Sequence, residues 1–400
     1  MPPPPPPAAA AAANDGATNG DDDDDGASCS QLPTIDLASY GDLDNADSKS
    51  RLARDLRQAC ETVGFFYLEN HGVGEEVFAA AFDAARRFFA LPDERKQPCR
   101  ASASTKNRGW TPLEAETLDP KRQKTRGDLK EGFYVGREIG ADSKMASLPL
   151  HGPNVWPDEE EEEQGGCRGF RAACEAYHAA MMELARRLLP AVAEAALGDE
   201  SGADDAASRQ AFVDAVFGEH GGGGGGAAAM GGSSGAVPYS SGPMAFVRLL
   251  QYAPVASVPR DDDSLLGCGA HSDWGMLTLL ATDGSEGLQV LRRRRGGSSD
   301  GSYWQDVPPR RFPSLVVNVG DMLERWTAGR LRSTVHRVVV PEALAAKGHR
   351  RQSIAFFLDP SFSALIAPVC GGGGEYAPVR AGDYLLQRYG ETHAGFAEGA

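Results

Sequence analysis

The chain has 400 residues, 41% hydrophobic and 24% charged, the balance of a globular protein rather than of a wholly disordered one. Of the net charge of −16, Asp15 with Asp21 to Asp25 supplies −6 and Asp158 to Glu163 another −6, leaving −4 for the rest, whereas a nucleic-acid-binding face would show a basic excess. No apolar run approaches the roughly 20 residues that span a bilayer, and the 7 cysteines form no CxxC pair, so the expectation is a cytoplasmic protein, monomeric, with neither membrane nor nucleic acid as partner.

Residues 1–30 run through Pro2 to Pro7, Ala8 to Ala13 and an Asp block, with no Lys or Arg before Lys49. They read as a disordered tail and fit neither a secretory nor an organellar leader. From Leu32 the segment LPTIDL alternates as a strand, 50–62 reads as a helix, and FFYLENHGV reads as a strand ending in a turn at Asn70, His71 and Gly72. A second helix, 76–89, lines up Phe78, Phe82, Phe88 and Phe89; beyond it, 93–165 looks irregular except for LKEGFYVG at 129–136.

We treat 31–150 as one N-terminal region and 151–242 as an acidic loop, a backing helix and a Gly-rich insertion. The helix, 168–197, spaces Phe170, Cys174, Tyr177, Met181, Leu184 and Leu188 by four and three residues, so one stripe must face a core; Pro190 is expected to bend it or start a new helix. Short β-branched and aromatic runs, among them FVRLLQY, MLTLLATD, SLVVNVG and SIAFFLD, fill 243–365, and a C-terminal segment, 366–400, carries weak helical character at 381–389. The fold class expected is mainly β with flanking helices, a sandwich or jelly roll.

Three groups in the β region can meet. In AHSDWG, His271 and Asp273 are two residues apart and share one side of a strand, and His336 interrupts the apolar run STVHRVVV, where an unpaired imidazole would pay for desolvation. Two imidazoles and one carboxylate on one face of an octahedron leave three positions open, the arrangement of non-haem Fe(II) sites. His71 and His178 read as structural, and His151, His220, His349 and His393 as solvated. Fifteen residues after His336, Arg351 and Ser353 again share a strand face; a guanidinium buried there demands an anion, either a protein carboxylate or a ligand carboxylate, and Tyr252 on a neighbouring run could add a contact.

HSDWGMLTLL, NVGDMLERWTAGRLRSTVHRV and RQSIAFF, together with LPTIDL, GFFYLENHGV, FFALPDERK and KEGFYVG, resemble segments of the isopenicillin N synthase-like, plant-type 2-oxoglutarate and Fe(II)-dependent dioxygenases, from about residue 31 to about 390. The resemblance implies a double-stranded β-helix (jelly roll) backed by a long helix and an α/β N-terminal region. It also implies Fe(II) on His271, Asp273 and His336, and the distal carboxylate of 2-oxoglutarate on Arg351 and Ser353 with Tyr252 as helper. The reaction implied is oxidation by O2, by default hydroxylation, of a small organic metabolite, with release of succinate and CO2. An Fe(II) oxidase that does without 2-oxoglutarate and a non-catalytic binding module are the alternatives. Phe133, Tyr134 and Trp274, with the 107–110 turn, Tyr384 and Tyr389, are expected to wall the substrate.

Overall fold

The computed structural model describes residues 31–392 apart from 102–105, 122, 124–126, 159–165, 199–204, 218–241, 254–265, 294–300, 341–347, 349 and 370–375. The proline tail, the Gly-rich insertion and most of the acidic block fall outside the described residues.

Period-2 alternation decides the architecture. Eight strands form one sheet in the order β1 (Thr34–Asp36), β2 (Phe65–Glu69), β10 (Leu315–Val319), β7 (Leu277–Thr282), β12 (Gln352–Ser361), β5 (Pro243–Tyr252), β4 (Lys130–Gly136) and β3 (Gly109–Thr111). A smaller sheet runs β6 (Cys268–His271), β11 (His336–Val338), β8 (Leu288–Arg293) and β9 (Ser302–Asp306). Along β12, Ile354, Phe356 and Leu358 join a large core that also holds the apolar faces of three helices, α1 (Ala46–Thr62), α2 (Glu75–Phe89) and α4 (Phe170–Leu197). Intervening positions face the smaller sheet, where Phe65, Tyr67, Leu250, Tyr252, Val290 and Val338 form a second apolar cluster. The N-terminal region is thus woven into the barrel, since β1 to β4 belong to the same sheet as β5, β7 and β12.

Two expectations about local structure are corrected. Helix α4 continues from Phe170 to Leu197 with Pro190 inside it, so no new helix starts there: the stripe Phe170, Cys174, Tyr177, Met181, Leu184 and Leu188 ahead of the proline and Ala191, Val192, Ala195 and Ala196 beyond it are buried in one core. The 93–165 stretch contains β3 and the short helix α3 (Asp93–Lys96). Lys96 is bound to Glu131 at 2.8 Å, which draws that loop against β4.

Phe133 requires a larger correction. It was expected on the substrate wall together with Tyr134, but adjacent residues of a strand point to opposite faces, so only one of them can look into the barrel. Phe133 is fully buried on the helix side, its ring 4.8 Å from Phe88 and 4.9 Å from Phe170. Phe133→Ala should therefore cost about 3–5 kcal/mol of stability in a denaturant titration, with affinity for ligands in the barrel unchanged. A stable variant with weakened ligand binding would return Phe133 to the site.

Candidate metal centre and adjoining pocket

His271 closes β6, His336 opens β11, and the register pairs the two residues directly. Their rings are 4.3 Å apart. Asp273 follows in a turn that is tied to a short helix, α6 (Asp321–Trp326), through the Asp321 amide, which donates to the Asp273 carbonyl at 2.7 Å. One ligand atom from each of His271, Asp273 and His336 lies within 4.8 Å of the others.

The hydrogen bonds around this trio decide which atoms face inward. His271 Nδ1–H donates to the Gly269 carbonyl at 2.7 Å and His336 Nδ1–H to the Thr334 carbonyl at 3.1 Å, leaving both Nε2 lone pairs free. Asp273 Oδ2 accepts from Asn318 at 2.7 Å and from Thr278, which leaves Oδ1 facing His271 Nε2 at 3.7 Å and His336 Nε2 at 3.8 Å. Those distances are too long for hydrogen bonds, so three converging donors have no proton among them. Burial, with the neighbouring His271, pushes His336 down to about 4, and burial lowers His271 as well. Burial works against ionising Asp273, yet His336, His271 and the two hydrogen bonds hold it below the usual carboxylate range. Neutral imidazoles beside an ionised carboxylate are the protonation states that a divalent metal requires.

Deeper in the barrel, Arg351 is buried, its guanidinium 4.6 Å over the Tyr252 ring and 3.4 Å from the Ser353 hydroxyl, which also hydrogen-bonds Tyr252. Its Nε has no hydrogen-bond partner, and among the described residues no carboxylate pairs with it. The structure thus brings together the three residues expected to hold the cosubstrate and leaves their cation without an anion.

A pocket opens beside the metal-ligand trio. Tyr134 and Trp274 line it, and Tyr389 stands edge-on to Trp274 at 4.9 Å. Tyr384 instead hydrogen-bonds Asp321, and Trp110 packs in the core with its indole N–H on Glu131 at 2.9 Å. Sequence reasoning missed Phe246, Arg248, Phe357 and Asp359. Period 2 on β5 and β12 could have found all four, since Phe246 and Arg248 alternate in step with Tyr252, and Phe357 and Asp359 with Ser353. His151, expected in solvent, is buried against Phe362 at 5.6 Å. His71 organises its turn by accepting from the Val73 amide at 3.2 Å.

Asp359 has the least usual environment in the pocket. Burial, then the nearby Asp273, push its carboxyl up to about 8. An acid whose folded-state value is raised destabilises the fold increasingly as pH climbs from its ordinary 3.8 to that value. In metal-free protein, Asp359→Asn should leave the melting temperature unchanged near pH 4 and raise it at pH 8. A shift of the same size at both values would contradict the assignment.

Comparison with known proteins points the same way. Residues 32–159 match the family model described as non-haem dioxygenase in morphine synthesis N-terminal, and residues 245–360 match the 2OG-Fe(II) oxygenase superfamily. The chain is 32% identical to the 2-oxoglutarate-Fe(II) type oxidoreductase hxnY of Emericella nidulans, covering 90% of each, and 30% identical to the 2-oxoglutarate-dependent dioxygenase citB of Monascus ruber, covering 90% of this chain and 95% of that one. A full-length Neurospora crassa protein crystallised with alpha-KG superposes with a TM-score of 0.67 at 25% identity, over 90% of this chain and 97% of that one. The described residues contain no helix long and apolar enough to cross a membrane. The pairing of both family models with a buried His-Asp-His trio and an unpaired guanidinium inside a jelly roll leads to one conclusion: this chain belongs to the 2OG-Fe(II) oxygenase superfamily, an enzyme that uses Fe(II), 2-oxoglutarate and O2.

Proposed function

We propose that His271 Nε2, Asp273 Oδ1 and His336 Nε2 hold Fe(II), that Arg351, Ser353 and Tyr252 hold the distal carboxylate of 2-oxoglutarate, and that the pocket beside Trp274 receives a small organic substrate. The observation that carries this reading is the unpaired Arg351 guanidinium in the same barrel as three deprotonated donors. A cation so buried is costly unless an anion joins it, and a ligand carboxylate can do so in a two-pronged ion pair, with the Ser353 hydroxyl as a further donor. The same feature favours the cosubstrate-dependent enzyme over an Fe(II) oxidase that needs no keto acid.

O2 is the oxidant: with Fe(II) and 2-oxoglutarate bound, one of its oxygen atoms would leave in succinate, formed with CO2 from the keto acid, and the other would serve to oxidise a substrate C–H bond. The chain's own residues bind, orient and exclude water. The carbonyls of Gly269 and Thr334 keep protons on Nδ1 of the two histidines, so that each offers Nε2. Asn318 and Thr278 occupy Asp273 Oδ2, so that only Oδ1 is offered. Tyr134, Phe357, Trp274 and Tyr389 make aromatic walls, and Asp359 and Arg248 supply polar contacts beside them. The Neurospora crassa relative has been crystallised with thymine, a small planar ring; a flat, compact substrate is the class these walls suit.

Trp274→Ala and Tyr134→Ala should raise the substrate's KM or uncouple 2-oxoglutarate consumption from product, leaving 2-oxoglutarate affinity nearly unchanged. A roughly tenfold loss of 2-oxoglutarate affinity with coupling intact would move these residues to the cosubstrate side. The proposal as a whole is tested by succinate formation in the presence of Fe(II), 2-oxoglutarate and O2, with a panel of small ring compounds scored for stimulation. Succinate formation that ignores removal of Fe(II) would defeat it. We also propose a monomer in a reducing compartment such as the cytoplasm, a reading supported by Cys60, Cys99 and Cys268, which are buried as free thiols.

A further inference from the structure

We infer that Asp128, a buried carboxylate outside the metal trio, is a positioning residue that sets the aim of His271. Strand β6 lies at the edge of the smaller sheet, so one side of its backbone has no strand to pair with. On its other side the ladder slips. His271 pairs with His336 and Cys268 with Val338, so three steps on β6 oppose two on β11, and the extra residue lies at Gly269 or Ala270. Bulges of this kind re-aim side chains and leave backbone groups without ladder partners.

The Gly269 amide finds its partner in Asp128 Oδ1 at 2.9 Å, and the Gly269 carbonyl accepts the Nδ1–H of His271 at 2.7 Å. One residue is thus held on its N–H side by a carboxylate and on its C=O side by the imidazole proposed as a metal ligand. Asp128 is itself fixed by two further side chains. Gln123 Nε2 donates to its Oδ1 at 2.9 Å, Lys130 Nζ pairs with its Oδ2, and Lys130 also reaches the Cys268 sulfur at 3.3 Å. Asp128 is fully buried and its charge is balanced by Lys130, so the clamp is rigid and carries no net charge. The glycine is required as well, because a Cβ at position 269 would collide with Gln123 Oε1 and the Asp119 amide. The DLKEGFYVG segment therefore has two faces with separate tasks. Asp128 and Lys130 support the bulge, while Glu131 binds Lys96, Trp110 and Gln251 away from the metal trio.

This inference rests on the proposed metal assignment, and the test separates the two. Co(II) is titrated anaerobically into the intact chain, the wild type and the variants Asp128→Ala, Asp128→Asn and Glu131→Gln, with affinity read by calorimetry and ligand geometry by the visible Co(II) bands. Circular dichroism confirms folding at the temperature used. Asp128→Ala should weaken Co(II) about 10- to 100-fold and shift the visible bands. Asp128→Asn preserves volume and one acceptor and covers the case in which the alanine variant fails to fold; it should weaken binding by a smaller factor in the same direction. Glu131→Gln, which also breaks a buried ion pair, should stay within about twofold of wild type, because Glu131 bonds Lys96, Trp110 and Gln251 and none of the metal-trio residues or their backbone partners. Wild-type affinity and bands in the folded Asp128 variants, or an equal loss in Glu131→Gln, would overturn the positioning role. If the wild-type chain itself fails to bind Co(II), the metal assignment falls, and the inference falls with it.

Discussion

Asp273→Ala is expected to abolish turnover and to weaken divalent-metal binding by more than the 10- to 100-fold typical of losing an outer-shell partner. The carboxylate is the only anionic donor of the trio, and without it two neutral imidazoles must hold a dication alone. His271→Ala and His336→Ala should follow, since each removes one of three protein donors. The fold should survive. His271 and His336 lie at strand ends, and Asp273, which accepts from Asn318 and Thr278, itself lines the pocket, so water can take the place of the lost carboxylate. Calorimetric titration with Mn(II), alongside circular dichroism, checks both halves. Full activity in any of the three variants would sink the ligand assignment.

Arg351→Met should act with comparable force on the cosubstrate and in the opposite sense on stability. Losing a charge-assisted, two-pronged pair is worth about 3–5 kcal/mol when the partner is left buried, which corresponds to a rise in the 2-oxoglutarate KM of at least about 100-fold. The apo protein, however, carries this guanidinium without an anion, its Nε unpartnered. A methionine of similar length relieves that desolvation cost, so the melting temperature of the cosubstrate-free variant should equal or exceed that of wild type. Loss of stability together with unchanged 2-oxoglutarate affinity would mean that Arg351 is a structural ion after all.

How much of this was legible in the sequence follows from which interactions are local. His271 with Asp273, and Arg351 with Ser353, are two-residue spacings at strand ends, β6 closing at His271 and β12 opening at Gln352, so their proximity could be read from local spacing although Asp273 and Arg351 lie just outside the strands. The stripe on α4 was legible for the same reason at helical period, while the continuation of the helix past Pro190 rests on the buried residues beyond it, Ala191, Val192, Ala195 and Ala196. Phe133 and Tyr134 are both aromatic, but strand alternation gives only Tyr134 to the barrel and Phe133 to the helices. Long-range pairings were invisible. Arg248 reaches Glu116 across 132 positions and Gly269 reaches Asp128 across 141, and nothing in either local segment announces its partner. Asp359 could be placed on its face by period 2 along β12, but the raised carboxyl comes from burial beside Asp273, which no local spacing shows.

The central claim is that one barrel binds Fe(II) through His271, Asp273 and His336 and 2-oxoglutarate through Arg351, with the two close enough for the keto acid to chelate the metal. Anaerobic titration of the Fe(II)-loaded chain with 2-oxoglutarate, followed by visible absorption, tests it most directly. A metal-to-ligand charge-transfer band should grow and saturate at one equivalent, remain absent in Asp273→Ala, and require far higher 2-oxoglutarate in Arg351→Met. A wild-type chain that binds Fe(II) and 2-oxoglutarate without developing the band, or an Asp273→Ala variant that develops it unchanged, would contradict the account.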